Sequence, residues 1–504
     1  MVLLKTYHEM LKNKRLKQAF WLETLLKLRP MRSLSGIVNV AVLTKPYPCP
    51  GKCIYCPSQK EAPKSYLINE PAVMRAVLNK YDPAKQVKTR LIALENTGHP
   101  TDKIELRIIG GTWSFYPEKY KKWFVKRCFD ACNGKFGKTL EISQKTNEKT
   151  KHRIIGLSIE TRPDFINIEE IKRLRKLGVT MTELGVQSVF DDVLKLNKRG
   201  HAIKETIKAT ELLKNAGFKV LYQMMPNLPG SSLKKDEKMF EEIFENPNFK
   251  PDLLKIYPCA VLKESKLYSW WKEKKYKPYQ DEELINLVKT IKKKVPYFIR
   301  IQRITRDIPS QSVVAGPAKI SNLRQVLEQK SKKEGWRCKC IRCREIKGNY
   351  DAKEKIILYR LDYEASGGKE IFLSFENKNR DKLYSLLRLR IPALSEASSF
   401  AKASEDRSAG KPSYDSSFPI LQNSALIREM HTYGQLNPLE SSSFSKISPQ
   451  HKGLGKKLIF KAEEIAKKEF GFERIAVIAG IGARNYFKKF GYRLKETYMT
   501  KQLQ

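Results

Sequence analysis

Three cysteines near the start of the chain have the spacing of ligands to an iron–sulfur cluster. Cys49, Cys53 and Cys56 lie within eight residues, in a segment that Pro50 and Gly51 make unsuitable for a helix. A tight loop of this kind can turn all three sulfurs toward one point. Three thiolates bind three irons of a cubane and leave the fourth iron open to a substrate or cofactor. The spacing therefore predicts a [4Fe–4S] cluster with one open position.

A structural zinc knuckle and three unrelated thiols are the alternative interpretations of this loop. A zinc site needs a fourth ligand nearby, whereas the next cysteine is Cys128. The C-x3-C-x2-C spacing, with the aromatic Tyr55 before the last cysteine, resembles the signature of radical S-adenosylmethionine (SAM) enzymes. The resemblance implies that SAM binds the open iron.

A second group of cysteines lies far along the chain, in a polar and basic segment. Cys338, Cys340 and Cys343 have the spacing C-x-C-x2-C, which suits zinc better than a cluster. Three cysteines leave the fourth zinc ligand to come from elsewhere. A second iron–sulfur site is the alternative. We interpret the group as a zinc-type structural clip between two domains.

The third chemical signal is a glycine-containing turn before a helical pattern. Gln450, Gly453 and Gly455 form Q-x-x-G-x-G before the helix expected over 458–469. Such a turn offers backbone N–H groups and a helix N-terminus to a pyrophosphate. The signal is weak alone, but a strand over 475–479 and a helix over 483–490 follow it. This order is similar to the acetyl-CoA-binding core of GNAT acetyltransferases.

The elements that would hold the cysteine loop alternate regularly between strand and helix. Amphipathic helices are expected over 168–177, 202–216 and 233–244. Alternation of this kind predicts parallel strands, here an α/β fold built as an open, partial (β/α) barrel. Its seven strands are expected over 36–43, 104–109, 154–159, 179–184, 218–225, 253–257 and 297–302.

Functional groups of a barrel are expected just beyond the ends of its strands. Gly110, Gly111 and Thr112 follow one strand, Glu160 follows the next, and Gln187 lies beyond a third. Each could be turn chemistry alone. Their recurrence at successive strand ends, in phase with the cysteines, favours a binding site.

The sequence divides into four parts. A basic helical segment, with a helix over 11–20, precedes the barrel, and antiparallel strands over 356–362, 370–376 and 386–390 open the GNAT part. A stretch rich in serine is expected to be a mobile insertion at 394–418. A strand over 425–433 follows it. The expected boundaries are 1–35 for the basic segment, 36–321 for the barrel, 322–349 for the cysteine-rich connector and 350–504 for the GNAT domain.

Charge is the dominant feature of the composition. The 504 residues include 97 Lys and Arg against 54 Asp and Glu, a net charge of +43. Such a charge attracts polyanions in a salt-dependent way, which favours a nucleic-acid partner over a generic basic surface. No run is long and apolar enough for a membrane span, and the nine clustered cysteines indicate a reducing compartment. We therefore expect a cytoplasmic protein without a membrane partner.

Motifs along nearly the whole chain resemble the catalytic subunit of the Elongator complex, the tRNA uridine acetyltransferase family. A radical SAM cysteine loop followed by a GNAT domain is a rare combination. The motifs that carry the resemblance include Lys-Pro-Tyr-Pro-Cys at 45–49, Gly-Gly-Thr at 110–112, Glu-Thr-Arg-Pro-Asp at 160–164, Glu-Leu-Gly-Val-Gln-Ser at 183–188, Asn-Lys-Arg-Gly-His at 197–201, Arg-Asp-Ile-Pro at 306–309 and Arg-Asn-Tyr at 484–486.

The resemblance implies an acyltransferase that modifies the wobble uridine, in the anticodon stem-loop of tRNA, to 5-carboxymethyluridine. Acetyl-CoA would be the co-substrate, and a reductant would drive cleavage of SAM on the cluster. The 5′-deoxyadenosyl radical would then take hydrogen from the acetyl methyl group. The resulting carbon radical would add to C5 of the uridine, and CoA would be lost.

The resemblance also implies roles for individual residues. Lys103, Glu160 and Tyr486 are the catalytic candidates, and Lys103 would reach acetyl-CoA from the barrel. Gly110, Gly111, Thr112 and Gln187 would bind cofactor on the barrel side. Phe487 replaces a tyrosine of the family, so one hydroxyl contact to CoA is missing. The acetyl-CoA contacts would be Lys103, Glu429, Met430, His431, Thr432, Gln450, Gly453, Leu454, Gly455, Lys456, Tyr486 and Phe487.

Two other function classes are compatible with parts of the pattern. A protein lysine acetyltransferase would use the GNAT half alone, with the cluster as a scaffold. Its groove for basic tails would be acidic, which a charge of +43 disfavours. A non-catalytic tRNA-binding scaffold would have lost both motifs, whereas both are intact here.

Overall fold

The computed structural model describes the chain except residues 1, 14, 18, 29–32, 321, 348–350, 352, 393–417 and 435–452. The expected insertion at 394–418, apart from Phe418, and the expected ligand Gln450 lie outside the described residues. None of the helices in the described part combines the length and the apolarity that crossing a bilayer requires.

Helices and strands alternate through the first part, and strands dominate after residue 356. The helices are α1 (Val2–Lys12), α2 (Phe20–Leu26), α3 (Pro71–Leu78), α4 (Pro83–Glu95), α5 (Glu118–Asn133), α6 (Leu140–Asn147), α7 (Ile168–Leu177), α8 (Asp191–Leu196), α9 (Ile203–Asn215), α10 (Leu233–Glu245), α11 (Leu267–Lys272), α12 (Asp281–Lys294), α13 (Leu323–Lys333), α14 (Ile341–Arg344), α15 (Leu454–Lys468) and α16 (Arg484–Lys488). The strands are β1 (Val38–Leu43), β2 (Lys103–Ile109), β3 (Arg153–Thr161), β4 (Met181–Gln187), β5 (Lys219–Met224), β6 (Leu253–Ile256), β7 (Val261–Leu262), β8 (Arg300–Arg303), β9 (Val313–Ala315), β10 (Ile357–Glu364), β11 (Gly368–Glu376), β12 (Leu383–Pro392), β13 (Ser424–Thr432), β14 (Arg474–Val477), β15 (Arg493–Lys495) and β16 (Tyr498–Gln502).

Seven parallel strands form the partial barrel, in the order β1-β2-β3-β4-β5-β6-β8. Their side chains alternate between two environments, as the period of two requires. In β1, Val38, Val40 and Val42 are fully buried under the outer helices, while Asn39 and Ala41 line cavities inside the barrel. The prediction of an open barrel of seven parallel strands is confirmed.

The GNAT part is a second seven-stranded sheet, in the order β10-β11-β12-β13-β14-β16-β15. Strands β10 to β13 are antiparallel, and β13 then pairs in parallel with β14. That parallel pairing extends only from Ser424 to Ile427 on β13. Beyond Ile427 the two strands therefore separate and leave a gap at the edge of the sheet.

Helix starts and stops follow local signals in the sequence. Asn167 accepts a hydrogen bond from the backbone of Glu170 at the start of α7, and Gly178, with φ 88°, ends that helix. Ser232 caps α10 through the backbone of Lys235. These signals explain why α7 and α10 lie within one residue of their expected bounds.

One expected element is absent, and one small sheet was not expected. The helix expected over 11–20 is absent: α1 ends at Lys12 and α2 begins at Phe20. The intervening sequence carries several like charges at helical spacing, which destabilises a helix. The small antiparallel sheet of β7 and β9 was not expected, because strands of two and three residues carry no usable periodicity.

One hydrophobic core continues from the barrel into the GNAT sheet. Buried ion pairs cross the same boundary. Arg428 of β13 is fully buried and donates to Asp252 at 2.6 and 2.9 Å, and to Glu370 at 3.0 Å. Arg390 donates to Asn215 of the barrel at 2.9 Å. The two parts are therefore packed as one body.

Candidate active site

The cysteine loop follows β1 directly, at the carboxyl end of the barrel strand. Cys49, Cys53 and Cys56 are half-buried free thiols. Thr112, which follows β2, has its Oγ1 3.6 Å from the sulfur of Cys49. Arg199 donates to the sulfur of Cys53 at 3.6 Å. The loop is thus held between neighbouring strand ends of the barrel.

The donor set and its surroundings fit a cluster. Two buried guanidinium groups, Arg162 and Arg199, lie beside the loop, and Nη1 of Arg162 has no hydrogen-bond acceptor. A Cβ atom on Gly51 would lie 2.6 Å from that Nη1, so only glycine allows this approach. Burial raises the pKa of the Cys56 thiol to about 12, and the neighbouring Cys53 adds to the effect. Positive charge and bound iron would both offset the cost of three thiolates here.

The two cysteine groups differ in the separation of their sulfurs. Among the described residues, Cys338, Cys340 and Cys343 are the one group of His, Cys or carboxylate ligands whose donor atoms all lie within 4.8 Å of one another. The sulfurs of the cysteine loop are spread more widely. A single ion gathers its ligands closely, whereas a cubane spreads them over separate irons. The geometry therefore fits one ion at the connector and a cluster at the loop.

The connector cysteines lie between the barrel and the GNAT sheet. Lys292 of α12 donates to the sulfur of Cys343 at 3.4 Å. Just beyond them, Glu345 pairs with Arg300 of β8 at 2.6 Å, and the backbone of Ile346 bonds to Leu383 of β12. A metal ion here would fasten the segment that joins the two sheets.

A cavity of about 530 Å³ opens beside the cysteine loop, and we call it the cluster pocket. It touches the loop at Tyr55, Cys56 and Pro57. Ile109 lines it, whereas Gly110, Gly111 and Thr112, which follow Ile109, do not. Gly110 has φ 129°, and a Cβ atom there would lie 2.1 Å from Oγ1 of Thr44. Glycine at this position lets the backbone pass where a side chain would not fit.

Glu160 is the centre of a polar network in the cluster pocket. Its carboxylate accepts hydrogen bonds from Tyr66 at 2.8 Å, Gln223 at 3.1 Å and Lys255 at 3.5 Å. Lys255 also pairs closely with Glu183. Burial raises the pKa of Tyr66 well above its usual value, and Glu160 adds to the effect, so Tyr66 stays protonated and donates. The network fixes the orientation of the Glu160 carboxylate as an acceptor.

Gln187 also lines the cluster pocket, at the end of β4. Its φ of 72° is unusual for a residue other than glycine, and its buried Oε1 has no donor. Strain and an unsatisfied acceptor at one residue are typical of ligand sites.

The gap between β13 and β14 opens into a second cavity, of about 490 Å³, which we call the GNAT pocket. Eleven of the twelve expected acetyl-CoA contacts line it; Gln450, the twelfth, lies outside the described residues. Gly453, with φ 75°, precedes α15, which begins at Leu454, four residues earlier than expected. The lining includes Lys103, Glu429, Met430, His431, Thr432, Gly453, Leu454, Gly455, Lys456, Tyr486 and Phe487.

Close packing surrounds the turn at Gly455. A Cβ atom on Gly455 would lie 2.9 Å from the hydroxyl of Tyr486 and 3.4 Å from the sulfur of Met430. Phe487 is 5% exposed and packs edge-on against Tyr492, with ring centroids 5.8 Å apart. Phe487 is thus largely part of the core.

Lys103 is the first residue of the barrel strand β2, and it lines the GNAT pocket. The side chain is half-buried. Burial lowers its pKa to about 8, Arg153 lowers it further, and Asp102 opposes the shift. The ammonium group is therefore only partly solvated and is placed to bind an anionic or carbonyl ligand group.

A third cavity, of about 550 Å³, lies between the other two, and we call it the channel. It shares Lys219, Glu429 and His431 with the GNAT pocket, and Asn39 and Gln302 with the cluster pocket. Positive charge is in excess on its walls: four acids, Glu105, Asp307, Glu345 and Glu429, pair with four of seven cations, which are Arg90, Arg107, Lys219, Arg300, Arg303, Arg324 and Arg342.

Strand β2 shows how the three cavities follow one another. Lys103 lines the GNAT pocket, Glu105 and Arg107 line the channel, and Ile109 lines the cluster pocket. These alternate residues share the inner face of the barrel. Six steps along a strand span about 20 Å. The interior of the barrel therefore connects the GNAT pocket, at the amino ends of the strands, with the cluster pocket at their carboxyl ends.

A buried polar group marks the junction of the channel and the GNAT pocket. Glu429 pairs with Arg388 at 2.8 Å and with Lys219 at 3.3 Å. Burial alone would raise the pKa of Glu429, but Lys219 and Arg388 hold it at about 2. Nε2 of His431 lies 2.7 Å from the carbonyl of Ser35. Glu429 is thus a permanently charged wall residue rather than a base.

Comparison with known proteins agrees with both halves of this arrangement. The model of the Radical SAM superfamily matches residues 47–243, that of the Radical_SAM C-terminal domain matches 251–333, and that of the Acetyltransferase (GNAT) family matches 448–492. The tRNA uridine(34) acetyltransferase of Methanocaldococcus jannaschii is 46% identical over 492 residues, which cover 95% of this chain and 87% of that protein. Elongator complex protein 3 of Homo sapiens is 38% identical over 494 residues, 95% of this chain and 86% of that protein.

The chain belongs to the family of tRNA uridine(34) acetyltransferases and Elongator complex protein 3. A solved structure of this family, the archaeal Methanocaldococcus infernus Elp3 with an N-terminal deletion (1–46), has a TM-score of 0.78 and 42% identity, covering 94% of this chain and 100% of that chain. The family resemblance expected from the motifs is therefore confirmed.

Some residues of the candidate site were not expected from the sequence. Lys255, Gln223 and Arg306 line the cluster pocket, and Arg306 donates to Glu70 at 3.1 Å. Lys255 does carry a signal, because it is a charged residue inside the apolar strand Leu-Leu-Lys-Ile. A buried charge of that kind marks either an ion pair or a site.

Proposed function

We propose that this chain is a tRNA carboxymethyluridine synthase, which uses acetyl-CoA and radical SAM chemistry to modify C5 of the wobble uridine. One observation carries the proposal: the inner face of β2 runs from the GNAT pocket through the channel to the cluster pocket. Two cofactor sites joined inside one barrel suit a reaction in which an acetyl group is consumed beside SAM.

In the cluster pocket, Cys49, Cys53 and Cys56 would hold a [4Fe–4S] cluster. Bound there and reduced, the cluster with SAM supplies one-electron chemistry able to remove hydrogen from an unactivated methyl group. Gly110, Gly111 and Thr112 would let backbone groups approach SAM closely, and the unsatisfied Oε1 of Gln187 would accept a hydrogen bond from a ligand. Glu160, held by Tyr66, Gln223 and Lys255, would act as a fixed acceptor for SAM or the uridine.

In the GNAT pocket, the turn from Gly453 to Lys456 and the N-terminus of α15 would hold the pyrophosphate of acetyl-CoA. The separated strands β13 and β14 would accept the pantetheine arm along Glu429, Met430, His431 and Thr432. Lys103 would add a charge-assisted contact from the barrel, and Tyr486 a hydroxyl contact at the turn. The acetyl end would then point into the channel.

The shape of the site also bears on the alternative, a protein lysine acetyltransferase. Such an enzyme needs a base and an open path for a lysine side chain. Glu429 is held ionised by Arg388 and Lys219, which makes it a poor base. The path from the GNAT pocket is the channel, where seven Lys and Arg side chains outnumber the four acids Glu105, Asp307, Glu345 and Glu429, and this excess of positive charge disfavours a lysine substrate. The carboxymethylation proposal suits both features better.

The same arginines suit a polyanion. A net charge of +43 and the cationic channel support the anticodon stem-loop of tRNA as the substrate. We further propose zinc at Cys338, Cys340 and Cys343, an electron donor for the cluster, and a cytoplasmic location. All nine cysteines are free, as a reducing compartment requires. We keep 36–321 and 350–504 as the catalytic domains, with 322–349 as their connector.

The direct test is mass spectrometry of wobble nucleosides after anaerobic incubation with tRNA, SAM, acetyl-CoA and a reductant. We expect 5-carboxymethyluridine only when all four are present with the wild-type protein. Acetylation of a basic peptide, with unmodified uridine in the tRNA, would instead establish the alternative function.

A further inference from the structure

A row of closely packed aromatic side chains leads from the surface to the cysteine loop. The ring centroid of Trp123, which is 43% exposed, lies 5.7 Å from that of Tyr120. Tyr120 lies 5.2 Å from Tyr116, which lies 4.8 Å from Tyr47. Tyr47 precedes Cys49 by two residues. We call these four residues the aromatic row.

The aromatic row approaches the loop from a different side than the substrate cavities do. The cluster pocket touches the loop at Cys56, and the four residues of the row line none of the three cavities described above. The row is anchored beside the loop, since Tyr116 donates to the carbonyl of Lys45 at 2.8 Å. The loop thus has a substrate side at Cys56 and a second side at Cys49.

The surface around the row is cationic. Lys45 lies over the ring of Tyr120 at 5.2 Å, and Lys45 and Lys119 are exposed. The nearby acidic Glu118 pairs with the buried Lys121 at 2.6 Å, so its charge is largely offset. Exposed aromatic rings beside unmatched cations form the composition that protein interfaces favour, with complementarity to an acidic partner.

We propose that the aromatic row, together with Lys45 and Lys119, is the docking surface for an acidic one-electron carrier protein of the ferredoxin class. The inference rests on the proposed function, because that function requires one electron per SAM cleaved. The reduced centre of the carrier loses one electron and the cluster gains it, and no bond forms or breaks in this step. Electron tunnelling weakens steeply with distance and with empty space, so continuously packed rings suit this passage.

The position of this surface favours an electron carrier over RNA. Substrates occupy the Cys56 side while the electron is needed, so the carrier must approach elsewhere. The densest cationic wall of the site is the arginine-lined channel, which is on the substrate side.

The test compares two double variants of the full chain with an anaerobically reconstituted cluster. Lys45→Glu with Lys119→Glu reverses charge at the proposed surface. Lys135→Glu with Lys138→Glu makes the same change beyond the other end of α5, about 20 Å away. Reduction of the cluster is followed by its optical bleaching, with either a reduced acidic ferredoxin or dithionite, a small reductant that needs no docking surface.

We expect the ferredoxin rate at low salt to fall about tenfold or more in the first variant and to stay near wild type in the second. The dithionite rate should be unchanged in both. Carbodiimide coupling, which joins carboxylates to lysine amines, should link ferredoxin to Lys45 or Lys119 in the wild-type protein, independently of electron transfer.

Four outcomes would overturn the proposal. Equal loss of ferredoxin rate in both variants would mean that only total charge matters. Unchanged ferredoxin rate with weakened binding of an anticodon stem-loop RNA in the first variant would make the surface an RNA site. If ferredoxin and dithionite reduce the wild-type cluster but coupling maps to other lysines, the carrier docks elsewhere. A wild-type protein that dithionite cannot reduce would overturn the proposed function as well.

Discussion

Lys103 is the residue through which the barrel reaches the GNAT pocket. Lys103 is the first residue of β2. Because side chains alternate along a strand, it lies on the same inner face as Glu105, Arg107 and Ile109. A lysine at the start of a strand is usually a solvated charge, and its pKa would then stay near the ordinary value. Burial instead lowers the pKa to about 8, which marks Lys103 as a partly desolvated donor.

Replacing Lys103 by alanine should weaken acetyl-CoA binding about ten- to a hundredfold, the value of one charge-assisted hydrogen bond. Calorimetry measures the affinity, and iron content should stay normal. Because the protonated amine is the binding form and its pKa is about 8, wild-type affinity should fall as pH rises through 8. In Lys103→Ala this pH dependence should vanish.

Two further variants serve as controls for the Lys103→Ala result. Lys145→Ala, on the surface of α6 with a side chain 71% exposed, should bind acetyl-CoA like wild type. Gly455→Glu should abolish binding, since its side chain would collide with Tyr486 and place negative charge at the pyrophosphate seat. Wild-type affinity in Lys103→Ala would mean that the barrel takes no part in holding acetyl-CoA.

Among the elements, the two cysteine segments are distinguished by what each joins. The loop after β1 is held at the strand ends by Thr112 and Arg199, whereas the connector cysteines lie between β8 and β12. The sulfur atoms also lie farther apart in the loop than in the connector. One segment should therefore serve chemistry and the other should serve stability.

Single cysteine variants should separate these roles. Cys53→Ser should lose about four irons per chain and the cleavage of SAM, with little change in melting temperature. Cys343→Ser should lose the zinc that we propose for the connector and lower the melting temperature, with iron retained. Metal analysis and calorimetry provide the measurements. Loss of iron in Cys343→Ser with the zinc retained would show that the metals were assigned to the wrong segments.

Sequence patterns predicted the elements far better than the cavities between them. The periods of two and 3.6 determined the seven barrel strands and helices such as α7, and the cysteine spacing located the cluster loop. The channel could not be predicted from the sequence, because it depends on which inner residues of β2, β5 and β6 face one another. Lys255 carried only the signal of a charge inside an apolar strand, and Arg306 is placed in the site by its pairing with Glu70, which is distant in the chain.

At the scale of the molecule, the barrel and the GNAT sheet share one core and one buried ion network. Arg428 is the centre of that network, bound to Asp252 of the barrel and Glu370 of the GNAT sheet. Such a network adds specificity to the packing and is costly to break. It fixes the relative positions of the barrel residues and the GNAT residues that together line the channel.

Arg428→Met should lower the free energy of unfolding by about 3–5 kcal/mol, since Asp252 and Glu370 would lose a buried partner. Arg360→Ala is the control, because its surface pairs with Asp362 and Glu469 are worth about 0–1 kcal/mol. Although burial alone would raise it, Arg428 and Arg388 hold the pKa of Asp252 well below the unfolded value of about 3.9.

Acid should therefore remove part of this difference. The contribution of Asp252 is fully present above its unfolded pKa and is lost as pH falls toward the folded value. Urea unfolding of wild type and Arg428→Met should converge below about pH 4. Curves separated by a constant amount from pH 7 to pH 3 would mean that the network adds little through charge.

The charge of the whole molecule should dominate its affinity for tRNA. Each phosphate that the protein neutralises releases counterions, so the logarithm of the affinity should fall with the logarithm of salt concentration, with a slope of several units. Fluorescence anisotropy with an anticodon stem-loop measures it. An affinity that does not change with salt concentration would mean that the 43 excess positive charges are scattered, solvated groups that do not contact the tRNA.

The central claim is that acetyl-CoA in the GNAT pocket and SAM in the cluster pocket react with each other through the barrel interior. The most direct measurement uses acetyl-CoA with a fully deuterated methyl group, together with SAM, tRNA and a reductant. Mass spectrometry of the 5′-deoxyadenosine produced should then show one deuterium taken from the acetyl group. Unlabelled 5′-deoxyadenosine, formed at a normal rate, would contradict the claim and make the two pockets separate sites.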